Sequence, residues 1–216
     1  MQWRIGALQW GTKSFEFWTI LMVLLALVRP KSIVELGSGR STSYLTEYAM
    51  KEGIPFASIE QNRFYAARTK RGLRNSFLDD SYLHHVPTDD DGWYRAEELN
   101  RVVDFPCELL FVDGPVDIGS RPTEQSSKWL AAASATSKVV IVDDVHSRSN
   151  LEMFYKLVAA SSTKLSPIYL SYNVDPIPNV VAIAVESSSY DALSKVCSEI
   201  GIEFLSDYSV DRCSEP

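Results

Sequence analysis

Ser32-Ile-Val-Glu-Leu-Gly-Ser-Gly-Arg-Ser-Thr42 is the stretch that decides the fold of this 216-residue chain. A short apolar run (Ile33, Val34, Leu36) leads into Gly37-Ser38-Gly39, and a helical pattern begins at once with Ser41, Thr42, Tyr44 and Leu45. Strand, glycine turn and helix in that order let a ligand come close to the backbone and aim helix-terminal N–H groups at it. In an open α/β sheet such a unit is the entrance to a nucleotide or nucleoside site. A dinucleotide fingerprint asks for a third glycine three residues after the second, and position 42 holds Thr instead. Glu35, inside the strand end, is expected to repel a diphosphate and to suit a ligand with a sulfonium or ammonium group. The local reading is therefore S-adenosylmethionine in preference to NAD.

Outward from that unit, strands and helices alternate. The pattern predicts strands over Ile33–Leu36, Phe56–Glu60, Tyr82–Val86, Leu109–Val112 and Val139–Val142. Helices are predicted over Thr42–Lys51, Arg63–Leu73, Tyr94–Val103, Glu124–Ala135 and Leu151–Ala160. Ile168–Tyr172 and Val180–Val185 read as two last strands joined by Asp175-Pro-Ile-Pro-Asn179, and Tyr190–Ile200 as a closing helix. Continuous apolar strands separated by helices imply an α/β, Rossmann-like, doubly wound sheet, mostly parallel, with helices on both faces. The strand pair joined without a helix implies one antiparallel edge. One domain over residues 1–216 is expected, with residues 1–30 as a helical segment packed on its core.

Composition narrows the classes further. The formal charge is −7, with no clustered basic run to neutralise phosphates, so nucleic acid is not an expected partner. The densest cations, Arg63, Arg68, Lys70, Arg71 and Arg74, fall on one predicted helix and read first as a solvated face, second as a contact for an acidic partner. Three cysteines (Cys107, Cys197, Cys213) without C-x-x-C spacing read as free thiols of a reducing, cytoplasmic compartment. Phe15–Val28 is strongly apolar, but its 14 residues fall short of the roughly 20 that span a bilayer. Ser14 as cap and Arg29-Pro30 as terminator make it a buried core helix, with no membrane span. A homo-oligomer is compatible with all of this.

Ligands in such sheets lie outside the carboxyl ends of the strands. The first strand delivers Glu35-Leu-Gly-Ser-Gly39 there, the second Glu60-Gln61-Asn62, the fourth Asp113-Gly-Pro115 and the fifth Asp143-Asp144-Val-His146. Each piece has a plain structural reading: a tight turn at Gly37 and Gly39, a helix cap at Glu60, turn formers at Asp113, Asp143 and Asp144, packing at Trp93 and Tyr94. Their convergence on one rim is what favours a site.

In this order, Glu-Leu-Gly-Ser-Gly-Arg-Ser-Thr, Ser-Ile-Glu, Phe-Val-Asp-Gly-Pro and Val-Asp-Asp, the motifs resemble those of class I S-adenosylmethionine-dependent methyltransferases, over residues 14 to about 185. The resemblance is to the bacterial group with Val-Asp-Gly-Pro and Asp-Asp at these strand ends. It implies a seven-stranded sheet with its last strand antiparallel and transfer of a methyl group to a small-molecule acceptor. It implies that Glu35, Gly37, Ser38 and Gly39 line the methionine part of the cofactor, that Glu60 holds the ribose, and that Thr88 and Asp89 lie by the adenine. It places Asp113 next to the amino-acid end of the cofactor or the reacting centre. The set Asp113, Asp143 and Asp144 is similar to that of metal-dependent O-methyltransferases, which implies Mg²⁺ holding substrate oxygens while His146 or Asp117 takes the proton. The loop after Asp113 departs from those relatives, carrying neither His nor Tyr but Asp117 and Arg121, so a sugar hydroxyl, a phenol and a carboxylate all stay open as acceptor. Two other classes share the scaffold: an NAD(P)-dependent oxidoreductase and a non-catalytic Rossmann-like platform.

Overall fold

Runs of four or five Ile, Val, Leu and Phe residues make the middle of the sheet because both of its faces are covered. The computed structural model describes residues 15–115, 122–174, 177–202, 204–205 and 208. Its elements are α1 (Phe15–Val28), β1 (Ile33–Leu36), α2 (Arg40–Glu52), β2 (Phe56–Glu60), α3 (Arg63–Asn75), β3 (Leu83–His85), α4 (Ala96–Val102), β4 (Leu109–Val112), α5 (Glu124–Ala135), β5 (Val139–Val142), α6 (Arg148–Ala160), β6 (Leu165–Val174), β7 (Ile177–Glu186) and α7 (Ser187–Glu199). The strands form one seven-stranded sheet in the order β3-β2-β1-β4-β5-β7-β6.

The pairs β1–β2, β1–β4, β2–β3 and β4–β5 are parallel, and β7 is antiparallel to both β5 and β6. The last strand in the chain, β7, is thus antiparallel as expected; it lies inside the sheet, between β5 and β6, and the edge strand is β6. Strand side chains alternate between two cores. Val34, Leu36, Leu110, Val112, Val140 and Val142 pack with α4, α5 and α6, through residues such as Leu99, Leu130 and Phe154. Ile33, Leu109, Phe111, Val139 and Ile141 pack on the other face with Leu21 and Leu24 of α1, Leu45 of α2 and Leu193 of α7. The α1 segment is therefore a core helix, as expected, and among the described residues no helix is long and apolar enough to cross a membrane.

Boundaries moved where local bonding outweighs pattern. The helix after β1 starts at Arg40, two residues earlier than predicted, directly on the Gly39 turn. The helix α4 starts at Ala96 because Tyr94 bridges back to Thr88. The last two strands are longer than their apolar runs, since their ladder continues from Leu165↔Glu186 to Val174↔Ile177. Of the predicted connector, Asp175 and Pro176 lie outside the described residues, as do Ser14, Cys213, Asp117 and Arg121.

Candidate functional site

The parallel register places Glu35 opposite Ser58, and that pairing governs the glycine turn. Glu35 is wholly buried; its Oε2 accepts from the hydroxyls of Ser58 (2.6 Å) and Thr42 (2.8 Å). Thr42 Oγ1 in turn accepts from Gly39 N at 2.9 Å. A carboxylate out of water requires such donors, and here they tie the strand end to the first turn of α2. Position 42 therefore carries Thr rather than a third glycine because its hydroxyl bridges Glu35 and the turn. Glu35 lies beneath that turn and does not line the cavity described below.

The two glycines of the turn differ. Gly37 has φ +91°, and a Cβ there would lie 2.6 Å from the carbonyl oxygen of Asp113, so the residue is required by the close approach of the β1 and β4 ends. Gly39 is extended, with φ −171°, and no atom lies within 4 Å of a Cβ built on it. Its open side belongs to a cavity of about 500 Å³ that Ser38, Gly39, Glu60 and Asp113 line from the strand ends. The opposite wall is α3, through Tyr65, Arg68, Thr69 and Gly72.

Glu60 is almost fully buried (4% exposed) and is oriented from both sides. Its Oε2 accepts from Ser38 N (3.1 Å) and Ser38 Oγ (2.8 Å), and its Oε1 from Asn62 N (2.8 Å). Asn62 also caps α3, its Oδ1 accepting from Phe64 N (2.9 Å) and Tyr65 N (3.3 Å). Below the rim, the buried Tyr94 hydroxyl donates to Gln61 Oε1 at 2.9 Å, with Ile59 O at 3.3 Å. Burial first, then the Glu60 carboxylate nearby, push this phenol well above its ordinary value, so it serves as a neutral donor that fixes the start of the β2–α3 turn.

Of the expected site residues, Gly37, Ser38, Gly39, Glu60 and Asp113 come together on the cavity. Thr88 and Asp89 do not line it. The Asp89 carboxylate closes its own turn, accepting from Asp91 N (3.0 Å) and Trp93 N (3.1 Å), and Thr88 bridges Tyr94. The β5–α6 turn also lies apart from the cavity lining. Asp144 sits there in the left-handed region (φ 55°), so Asp143 is buried while its neighbour is exposed. Asn150 Nδ2 approaches the carbonyl oxygens of both, at 3.3 Å each, and His146 is half-buried. Among the described residues, no three His, Cys, Asp or Glu side chains stand together as a set able to hold a metal ion. The Mg²⁺ expected at Asp113, Asp143 and Asp144 has no matching ligand set there, because the turn at Asp144 sends the two adjacent acids to different environments. Sequence reasoning missed the α3 wall; Tyr65, Arg68, Thr69 and Gly72 follow the i, i+3, i+4, i+7 spacing of one helix face, which was the available signal.

No family description and no curated protein matches the chain. The fold itself is that of the class I S-adenosylmethionine-dependent methyltransferases. A candidate O-methyltransferase from Klebsiella pneumoniae is similar with a TM-score of 0.57 at 15% identity, over 82% of this chain and 82% of that one. The O-methyltransferase from Bacillus cereus, in complex with S-adenosylhomocysteine, is similar with a TM-score of 0.54 at 16% identity, over 81% of this chain and 83% of that one. A candidate caffeoyl-CoA O-methyltransferase from Staphylococcus aureus gives 0.51 at 18% identity, over 82% and 86%.

Proposed function

We propose that this chain is an S-adenosylmethionine-dependent methyltransferase that methylates an oxygen of a small-molecule acceptor. The observation that carries the reading is the open side of Gly39 on a cavity of about 500 Å³ at the carboxyl ends of β1 and β2, with the fixed Glu60 carboxylate on the same wall. When bound, the cofactor supplies a methyl group already activated by its sulfonium, so the protein's task is alignment and exclusion of water. In this reading Glu60, oriented by Ser38 and Asn62, accepts from the ribose hydroxyls. Gly37, Ser38 and Gly39 cup the methionine moiety and Asp113 stands by its ammonium group. Transfer breaks the S–CH₃ bond, forms an O–CH₃ bond and leaves S-adenosylhomocysteine, and the acceptor's proton passes to a base. His146 and Asp117 are the candidates for that base.

The buried free thiols of Cys107 and Cys197 support a reducing, cytoplasmic setting; burial pushes the Cys107 thiol up to about 12, so it is a packing residue and not a nucleophile.

Calorimetric titration with S-adenosylhomocysteine, beside NAD⁺, tests the reading. Heat on adding the former only, lost or weakened at least about tenfold in Gly39→Val, is the expected result. Absence of binding by the parent protein overturns it, and selective binding of NAD⁺ replaces it with an oxidoreductase.

A further inference from the structure

We propose that the α2–α3 side of this cavity binds an oxyanion group, phosphate or carboxylate, of a small-molecule ligand other than the methyl donor, with Arg40 and Arg68 as the binding cations. Arg40 is the first residue of α2 and Arg68 lies in the second turn of α3; both line the cavity, together with the hydroxyl-bearing Ser43 and Thr69. Among the described residues neither arginine makes an ion pair or a side-chain hydrogen bond. Elsewhere on α3, Arg74 is held by Asp80 (2.6 Å) and Arg63 stacks over the Phe64 ring (4.8 Å).

The acids of the cavity do not neutralise the two guanidiniums. Glu60 is engaged by Ser38 and Asn62, and Asp113 is not within ion-pair distance of Arg40 or Arg68, neither of which has such a partner. Two guanidiniums on one cavity wall raise the local positive potential, and an anion between them would be attracted by both. A guanidinium presents paired N–H donors that match the oxygens of phosphate or carboxylate, and flanking hydroxyls complete such a shell. Gly72, inside α3 and on the cavity wall, costs a helix about 0.5–1 kcal/mol relative to Ala; at this position it also leaves the groove wider than any side chain would.

The cavity is thus bipolar, with carboxylates at the strand ends and cations at the helices. In the proposed function the donor's amino-acid end lies toward Asp113, on the β4 side of Glu60, so the basic end is left to a second ligand. Assigning the anion to that second ligand rests on the proposed donor position, whereas the anion site itself does not.

The test is titration of the full chain with inorganic pyrophosphate and, separately, with citrate, each with and without saturating S-adenosylhomocysteine. Binding of at least one probe, weakened about tenfold or more in Arg68→Ala and largely restored in Arg68→Lys, is expected. S-adenosylhomocysteine affinity should change less than about threefold in Arg68→Ala, since in the proposed function the donor is held by Ser38, Gly39, Glu60 and Asp113 and not by Arg68. The two arms separate a phosphate site from a carboxylate site. The proposal is overturned if neither probe binds, if Arg40→Ala and Arg68→Ala bind like the parent, or if the probe competes strictly with S-adenosylhomocysteine, which would make the cations part of the donor's own carboxylate pocket. Pyrophosphate or citrate binding in a protein that ignores S-adenosylhomocysteine sinks the methyltransferase reading and leaves the anion site standing.

Discussion

Gly37 and Gly39 stand two positions apart and answer to different demands, which makes them separable by mutation. A Cβ at Gly37 meets the Asp113 backbone at 2.6 Å and must adopt φ +91°, so Gly37→Ala is expected to destabilise the protein by about 3 kcal/mol. Gly39→Ala meets no protein atom within 4 Å; its melting temperature should stay near the parent's while S-adenosylhomocysteine binding weakens. Paired thermal unfolding and calorimetry check both statements. Thr42 makes a third case. Thr42→Val removes the hydroxyl that links Gly39 N to Glu35 and should cost about 2 kcal/mol in urea unfolding, with Thr42→Ser close to the parent. The glycines and Glu60 could be read from sequence because the turn that presents them is local. Glu35 could not. Its fate depends on Ser58, 23 positions away and brought opposite by strand register.

Elements were legible wherever an apolar run was bounded by turn residues. The predicted bounds of β1, β2, β4, β5 and α5 coincide with those observed, since such strands are specified by burial on both faces. The ends of α4, β6 and β7 depended on pairings that no local pattern announces. The same reason hid the α3 wall of the cavity and misplaced the acidic pair after β5, where the backbone at Asp144 decides which carboxylate is buried.

One contact binds elements at the opposite, amino-terminal ends of the strands. Glu108 accepts from Lys31 N (2.8 Å) and from Lys138 Nζ (2.9 Å), ahead of β1, β4 and β5. Burial raises its carboxyl, but those two donors outweigh burial and bring it below its ordinary value. A group whose pKa is lowered by folding stabilises the native chain above its unfolded pKa, and the contribution is lost as pH falls through the folded value. Glu108→Gln should therefore cost about 1 kcal/mol at neutral pH. The gap from the parent should narrow as pH falls through and below the ordinary carboxylate range; chemical unfolding on the acid side of neutrality measures it.

At the scale of the whole molecule, three layers hold one sheet between α1, α2 and α7 on one face and α4, α5 and α6 on the other. The order of the strands in space departs from their order in the chain at two places: β4 adds beside β1 rather than β3, and β7 lies between β5 and β6. During synthesis, everything through α6 can leave the ribosome while Val139–Val142 still has one row of N–H and C=O groups without a neighbour. The later hairpin cannot dock by its first arm, since β6 touches the sheet through β7. Nascent chains stalled with residues 1–160 exposed should therefore be cut rapidly by a brief protease pulse, and those exposing residues 1–202 should resist it. Vectorial translation thus delays closure of the sheet until its penultimate member in space, and last in sequence, has been made.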